Sequence, residues 1–407
     1  MINNISTMKS IPPKNCSGCA ACANVCNRSA ISMQINADGF YNPIFDTEKC
    51  VHCGLCEKAC PSNNIVESPA YTKTSPKSVA TFAKEDAIRL ESSSGGIFTV
   101  LAQKVLSEGG YVVGVAQLTP SQFGFTIIDN VVDLSKLRGS KYVQANVGEV
   151  YRDVRSLLKT GKKVLFSGTP CQVAALYAVL GDNKRENLIT VDLVCHGVPT
   201  RLLYDKYCSE LENEKGKVIQ TIFRDKTFGW KLYSMTNVIE YSNNGNCFQK
   251  KISSHHKENP YMRIFLSDLC LNDSCFECKY AKIPRIADIS LADFWAIRSF
   301  FKDLDDDKGI SLVLLNTEYG EHLFDSIDTN QIFSCYIDFE KVKKHSPRIY
   351  SPVQQVDEGE RRIVFGELKN DRISLEQICR KHYLNRLPLI KRIYYKIKAI
   401  KYTLFPL

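Results

Sequence analysis

Eight cysteines within the first sixty residues constrain this chain more than any other feature. They fall in two matching runs, Cys16-x2-Cys19-x2-Cys22-x3-Cys26 and Cys50-x2-Cys53-x2-Cys56-x3-Cys60, the second followed by Pro61. A loop with x2-x2 spacing can wind three thiolates round one corner of a four-iron cubane. The fourth thiolate must come from elsewhere, and where two such runs share a chain the fourth cysteine of each ligates the other cluster. One 4Fe–4S cluster then takes Cys16, Cys19, Cys22 and Cys60, and a second takes Cys50, Cys53, Cys56 and Cys26. Ser17, Gly18, Ala20, Ala21, Ala23 and Gly54 lie between the ligands, where larger side chains would crowd a cluster. Zinc or disulfides are the alternative, but zinc sites use separated pairs of ligands rather than fourfold runs. Asn27 stands where the first run would usually carry proline, which alters the turn after the ligand and not the ligation.

At 407 residues, 44% of them hydrophobic, the chain has material for two or three domains and a packed core. No stretch of eighteen apolar residues occurs, so no transmembrane span is expected. The opening MINNISTMKSIPPKN has no apolar h-region, and seventeen cysteines without an export signal point to a reducing compartment, the cytoplasm. Of the net charge of +9, seven positive charges and no negative one fall in residues 381–407, so a nucleic-acid face is not implied. In that tail Leu389, Ile390, Ile393, Ile397, Ile400 and Leu404 recur at helical spacing among Lys391, Arg392, Lys396 and Lys398. This pattern reads either as a basic amphipathic helix for an anionic membrane surface or an acidic partner, or as a helix packed on its own domain.

Residues 1–66 form the cysteine module, an internal duplication in which DGFYNPIFD resembles a turn and short strand of the ferredoxin fold. Residues 67–77, polar with two prolines, read as a linker. Strand and helix then alternate. Strands are expected at 78–83, 111–118, 163–166, 188–193, 218–223 and 311–315, and helices at 96–107, 148–159, 170–180 and 200–214. Residues 225–285 carry no clear signal, and 341–372 read as polar and irregular. The fold class expected is α+β, a dicluster ferredoxin-like module followed by an α/β body.

Three stretches of the body carry chemistry. Glu91-Ser92-Ser93-Ser94-Gly95-Gly96 precedes a helix; its hydroxyls can cap that helix, or its amides can cradle a phosphate. In the strand–turn–helix GKKVLFSGTPCQVAALYAVLG, Thr169 suits the N-cap and Pro170 the first helical position. Cys171 then sits in the first turn, either as a dipole-stabilised thiolate or as a buried small residue. Cys195-His196 ends the next strand. If strands 163–166 and 188–194 are parallel neighbours, Cys171 and Cys195 face one crevice at the carboxyl ends of the strands. There His196 either supplies a proton or merely hydrogen-bonds. With the pair Cys275-x2-Cys278 the body offers four thiolates for a third 4Fe–4S cluster, with Cys270 as a rival ligand. Buried thiols in a two-cluster protein are the alternative. Cys208, Cys247, Cys335 and Cys379 stand alone.

Residues 78 to about 300 resemble the beta-subunit family of coenzyme F-420 (deazaflavin) hydrogenases and dehydrogenases. The resemblance rests on SSSGG at 92–96, RGSKYVQ at 138–144, FSGTPCQVAAL at 166–176, DLVCHGVPT at 192–200, FRDK at 223–226, SCFECKY at 274–280 and ADISLADFW at 287–295. It implies an FAD-containing iron–sulfur oxidoreductase divided into a flavin-binding part at 78–160, a part with the third cluster at 161–345 and a basic tail at 346–407. It places FAD near Ser93, Ser94, Gly95, Gly96 and Ser140, with Lys141 and Tyr142 facing flavin or substrate. Electrons would pass between a ferredoxin or other redox protein, the clusters and FAD, which would exchange a hydride with a small organic substrate. The other readings are a non-catalytic electron-transfer subunit and a reductase tied to surface-polysaccharide synthesis.

Overall fold

The computed structural model describes residues 15–181, 186–243 and 246–383. The amphipathic pattern at 389–404 lies outside the described residues.

Both cysteine runs fold alike. Gly18 and His52, each two residues after the first cysteine of its run, have φ of 68° and 55°; Ala20 and Gly54 follow at 60° and 74°. Two left-handed residues in three curl the backbone about a point, and a short helix then leaves each curl at Ala21–Val25 and Leu55–Lys58. Between the runs, β1 (Ile31–Ile35) and β2 (Tyr41–Phe45) pair antiparallel. The Asn36 side chain closes their turn by accepting from the N–H groups of Asp38 and Phe40, both at 3.0 Å.

The body is built on β3 (Lys77–Ala83), β4 (Tyr111–Thr119), β5 (Gln122–Ile128), β6 (Val164–Gly168) and β7 (Leu188–Leu193). A separate three-stranded meander follows, of β8 (Lys217–Asp225), β9 (Ser234–Asn243) and β10 (Asn246–His255). Then β11 (Ile289–Asp293), β12 (Ser311–Leu315) and β13 (Ile332–Ile337) return to the first sheet, whose order is β13-β3-β12-β11-β7-β6-β4-β5. Its centre is parallel across β4, β6, β7 and β11, as expected for the neighbours at 163–166 and 188–194. The central strands are near-continuous apolar runs because both faces are covered. Val112, Leu165 and Ile189 pack under the helix Ile97–Ser107. Val113, Val164 and Phe166 pack under the helices Val150–Lys159 and Pro170–Leu180. The boundary expected at 160/161 falls inside this sheet, between β5 and β6.

Two stretches depart from the sequence reading. Residues 341–372, expected to be irregular, carry most of the helix Phe339–His345 and the helix Glu358–Leu368. Each buries only a narrow face (Phe339 and Val342; Val364, Phe365 and Leu368) and owes its start to an aspartate cap, Asp338 or Asp357. Residues 225–285 hold the β9–β10 hairpin. Its outer strand, NCFQKKISSH, is polar on both faces and has no alternation to read. Among the described residues no helix is long and apolar enough to cross a membrane.

Candidate redox centre

In the module, Cys16, Cys19, Cys22 and Cys60 act on one another electrostatically as near neighbours, the set that the crossed ligation requires. Burial pushes the Cys16 thiol up to about 12, and raises Cys19 and Cys22 as well. The Gly18 N–H points at the Cys16 sulfur at 3.4 Å. Buried thiols close together suit a cluster: iron supplies positive charge that favours ionisation, and its ligands must be thiolates. The second set differs in exposure. Cys19, Cys22 and Cys60 are each 9% exposed and Cys16 is half-buried, whereas Cys53 lies open to solvent and Cys26, Cys50 and Cys56 are half-buried.

In the body, the loops after β6, β7 and β11 leave the sheet at the carboxyl ends of parallel strands, where ligands gather in open α/β sheets. The first carries Thr169-Pro170-Cys171. Pro170 opens the helix, and Gln172 reaches back to accept from the Thr169 N–H at 2.8 Å. The second carries Cys195-His196. Cys171, Cys195, Cys275 and Cys278 together line a cavity of about 240 Å³, roofed from the module by Ser17, Pro61 and Ser62. Two of its sulfurs make weak hydrogen bonds: Cys171 pairs with Thr169 Oγ1 at 3.2 Å, and Cys275 accepts from the Val198 N–H at 3.3 Å. Burial pushes Cys195 and Cys275 up to about 12 in the thiol form. Among the described residues no three His, Cys, Asp or Glu side chains share one centre as ligands of a single ion do. A cubane takes each thiolate at its own iron. Cys270 does not join the four: it is fully buried, with its thiol toward the Ile264 carbonyl at 3.8 Å.

Adjoining this space is a cavity of about 510 Å³ that shares Thr169, Cys171 and Cys195–Val198 as a common wall. Ser93, Ser94, Gly96, Ser140, Lys141, Tyr142 and His196 all line it. Gly95, expected beside them, does not; its α-carbon faces the Thr81 carbonyl and the Ser311 N–H, so the missing side chain makes room for β3 and β12 rather than for a ligand. The serines also differ from the capping role they could have played. Ser92 donates to Ile88 O, Ser93 bonds Ser140, and Ser94 donates to Ile310 O. The helix Ile97–Ser107 therefore starts at Gly96 (φ 87°) with no side-chain cap, its first turn open to the cavity.

Lys141 donates to the carbonyls of Lys136, Leu137 and Arg138 at 3.2, 3.0 and 2.7 Å. This caps the helix Leu134–Leu137 and occupies all three ammonium protons, although burial draws its pKa down to about 7. Tyr142 stacks on Phe265, with its hydroxyl 3.1 Å from Arg224. His196 bonds Asp268 Oδ1 through Nε2 at 2.7 Å. Sequence reasoning missed Arg224 as a hub. Its guanidinium grips Asp293 at 2.8 and 3.0 Å, donates to Ser93 O and lies 4.0 Å over the Tyr233 ring. FRDK at 223–226 was the available signal. Lys226 was equally hidden; it donates to the carbonyls of Arg89, Ser94 and Lys308 at 2.6–2.7 Å and so pins the serine loop.

Residues 15–64 match the 4Fe–4S dicluster domain. Residues 78–152 and 161–338 match the N-terminal and C-terminal parts of the coenzyme F-420 hydrogenase/dehydrogenase beta subunit. An uncharacterized protein of Methanocaldococcus jannaschii is 24% identical over 372 residues, spanning 80% of this chain and 89% of its own length. A chain in the structure of the F-420-reducing nickel–iron hydrogenase complex from Methanosarcina barkeri superposes with a TM-score of 0.46 at 17% identity, covering 70% of this chain and 93% of that one. With the two beta-subunit matches spanning most of the body, and a dicluster module before them, the chain belongs to the coenzyme F-420 hydrogenase/dehydrogenase beta-subunit family and is an iron–sulfur protein of oxidoreductase-type electron transfer.

Proposed function

We propose that the chain is a flavin-dependent iron–sulfur oxidoreductase. Cys26, Cys50, Cys53 and Cys56 would hold an open cluster that exchanges electrons with a redox protein. Cys16, Cys19, Cys22 and Cys60 would hold a more enclosed cluster, and Cys171, Cys195, Cys275 and Cys278 a third, which would relay electrons inward. FAD in the 510 Å³ cavity would convert single electrons into hydride chemistry on a small organic substrate, which iron–sulfur centres cannot do alone. The observation that carries this reading is the common wall: the four-thiol cavity and the large cavity meet along Thr169, Cys171 and Cys195–Val198. The greater exposure of the Cys26, Cys50, Cys53 and Cys56 set supports placing the external carrier at that cluster.

Among the chain's own residues, the open first turn at Gly96–Thr99 would take a phosphate. Tyr142 and Arg224 would orient what enters. His196, held in place by Asp268, is the group that could move a proton at Nδ1, since Nε2 is engaged. Lys141 holds its own loop. Ser93 and Ser140 shape the floor of the cavity. The basic tail would add contact with a partner or an anionic membrane surface, and liposome binding by the chain with and without residues 386–407 tests that part.

Anaerobic purification with flavin analysis tests the flavin. Wild type should hold one FAD per chain, and Ser140→Tyr, which projects bulk into the cavity, should lose flavin while retaining its iron. Wild type with its clusters full and no flavin after reconstitution with FAD would refute the enzyme reading and leave an electron-transfer subunit.

A further inference from the structure

One of the cations that tie the cysteine module to the body sits directly behind the first cysteine run. Arg152 lies in the first turn of the helix Val150–Lys159 and sends its guanidinium into the end of Ala21–Val25. Nε donates to Asn24 O at 2.8 Å, and Nη2 donates to Ala23 O at 3.0 Å and Cys26 O at 2.7 Å. Buried Asn24 completes the joint, its Nδ2 donating to Gly148 O at 2.9 Å and Ala20 O at 3.1 Å. This segment carries Cys22 and Cys26, one ligand for each cluster under the crossed pattern.

The end of a helix presents carbonyl oxygens, a locally negative potential. A cluster gains negative charge on reduction, and its potential follows the charge, hydrogen bonding and solvent exposure around it. Bare carbonyls behind Cys22 and Cys26 would therefore disfavour the reduced state. Arg152 places a positive charge on those carbonyls in a half-buried joint, where screening is weaker than in open water. Its only carboxylate neighbour among the described residues is Glu149, on the far nitrogen Nη1 at 2.9 Å and 73% exposed. An exposed partner of this kind offsets only part of that charge.

We infer that Arg152 sets the reduction potential of the dicluster module: its charge, rather than the hydrogen bonds it makes, holds the module's potentials up. The inference rests on the dicluster module and not on the flavin. The test is an EPR-monitored redox titration of the full anaerobic chain as wild type, Arg152→Gln, Arg152→Lys and Glu149→Gln, with iron measured on each.

Arg152→Gln should lower at least one module potential by the equivalent of about a threefold to tenfold change in the reduction equilibrium, tenfold being 59 mV for one electron. Arg152→Lys, which keeps the charge with poorer bonding, should stay near wild type. Glu149→Gln should shift upward by less. Equal shifts in Arg152→Gln and Arg152→Lys would mean a mechanical clamp and would overturn the inference, as would unshifted potentials with iron intact. Should Arg152→Gln lose iron, Glu149→Gln decides: an upward shift supports the inference, and no shift or a downward one overturns it.

Discussion

Replacing Gly95 by alanine adds one methyl group where the sheet has no room for it. A Cβ there would stand 2.6 Å from the Thr81 carbonyl oxygen and 2.8 Å from the Ser311 nitrogen. Both are backbone atoms of buried strands, β3 and β12, and neither can swing aside. The Gly95 N–H also donates to Ser311 Oγ at 3.0 Å, and its carbonyl accepts from the Ala83 N–H at 2.7 Å, so relief of the clash breaks a tie. Overpacking costs about 1–3 kcal/mol, and a strained or lost hydrogen bond adds about 1 kcal/mol. The expected destabilisation is therefore about 2–4 kcal/mol. Two neighbours calibrate it. Gly139→Ala has open space and pays only for φ of 77°, roughly 1–2 kcal/mol. Gly96→Ala pays the same at φ 87° and meets the Ile88 Cγ2 methyl at 3.0 Å and Ala83 Cβ at 3.3 Å, side-chain contacts looser than the backbone ones at Gly95. Urea unfolding followed by circular dichroism, on anaerobic protein of known iron content, should rank the three as Gly95 worst and Gly139 mildest. Gly95→Ala at wild-type stability but without flavin would show that the glycine serves a ligand and that its assignment to sheet packing is wrong.

Iron analysis should give about twelve irons per wild-type chain and about eight for Cys275→Ser, at four per cubane, with Cys270→Ser unchanged; a wild-type value near eight that Cys275→Ser leaves alone removes the third cluster. Tyr280→Phe deletes the hydroxyl that donates to Pro61 O and accepts from the Val66 N–H, both at 3.2 Å. It should loosen the module by about 1 kcal/mol per bond, read as faster proteolysis within residues 67–76, and equal cleavage rates would count against the tie. His256, stacked on Tyr233, has its pKa drawn down to about 4, first by burial and then by nearby cations. Its neutral form is the folded one, so between about pH 4 and its ordinary pKa near 6.5 the unfolded chain binds more protons and stability falls on acidification. Melting temperature should therefore drop less steeply across that range in His256→Gln than in wild type, and parallel slopes would contradict this.

The dicluster module was legible because ligand spacing is local. The eight module cysteines are read from two short runs, and the helix Pro170–Leu180 announces itself through Thr169 and Pro170. Strands β7 and β12 are apolar runs whose ends the structure reproduces. What escaped depends on distance. Gly95 looks like a ligand cradle until Thr81 and Ser311, far away in sequence, arrive against it. Lys141 looks like a free cavity lysine until the preceding helix ends on its ammonium. Arg152 sits in a helix whose pattern says only that one face is polar; its partners lie more than 120 residues earlier. The helices after residue 338 were hidden because a cap and two or three buried residues suffice to hold them, too few for a periodic signal.

The uneven exposure of the two module clusters also bears on damage by oxygen. Thiolates and the iron they hold are attacked in proportion to their accessibility. Cys53 stands in solvent, while Cys19, Cys22 and Cys60 are buried. On the proposed path, oxidants would meet the outer cubane first, and its loss would cut the link to an external carrier before the inner centres are reached. The outer cluster would then act as a fuse, failing before the interior is harmed and leaving one surface site to be rebuilt.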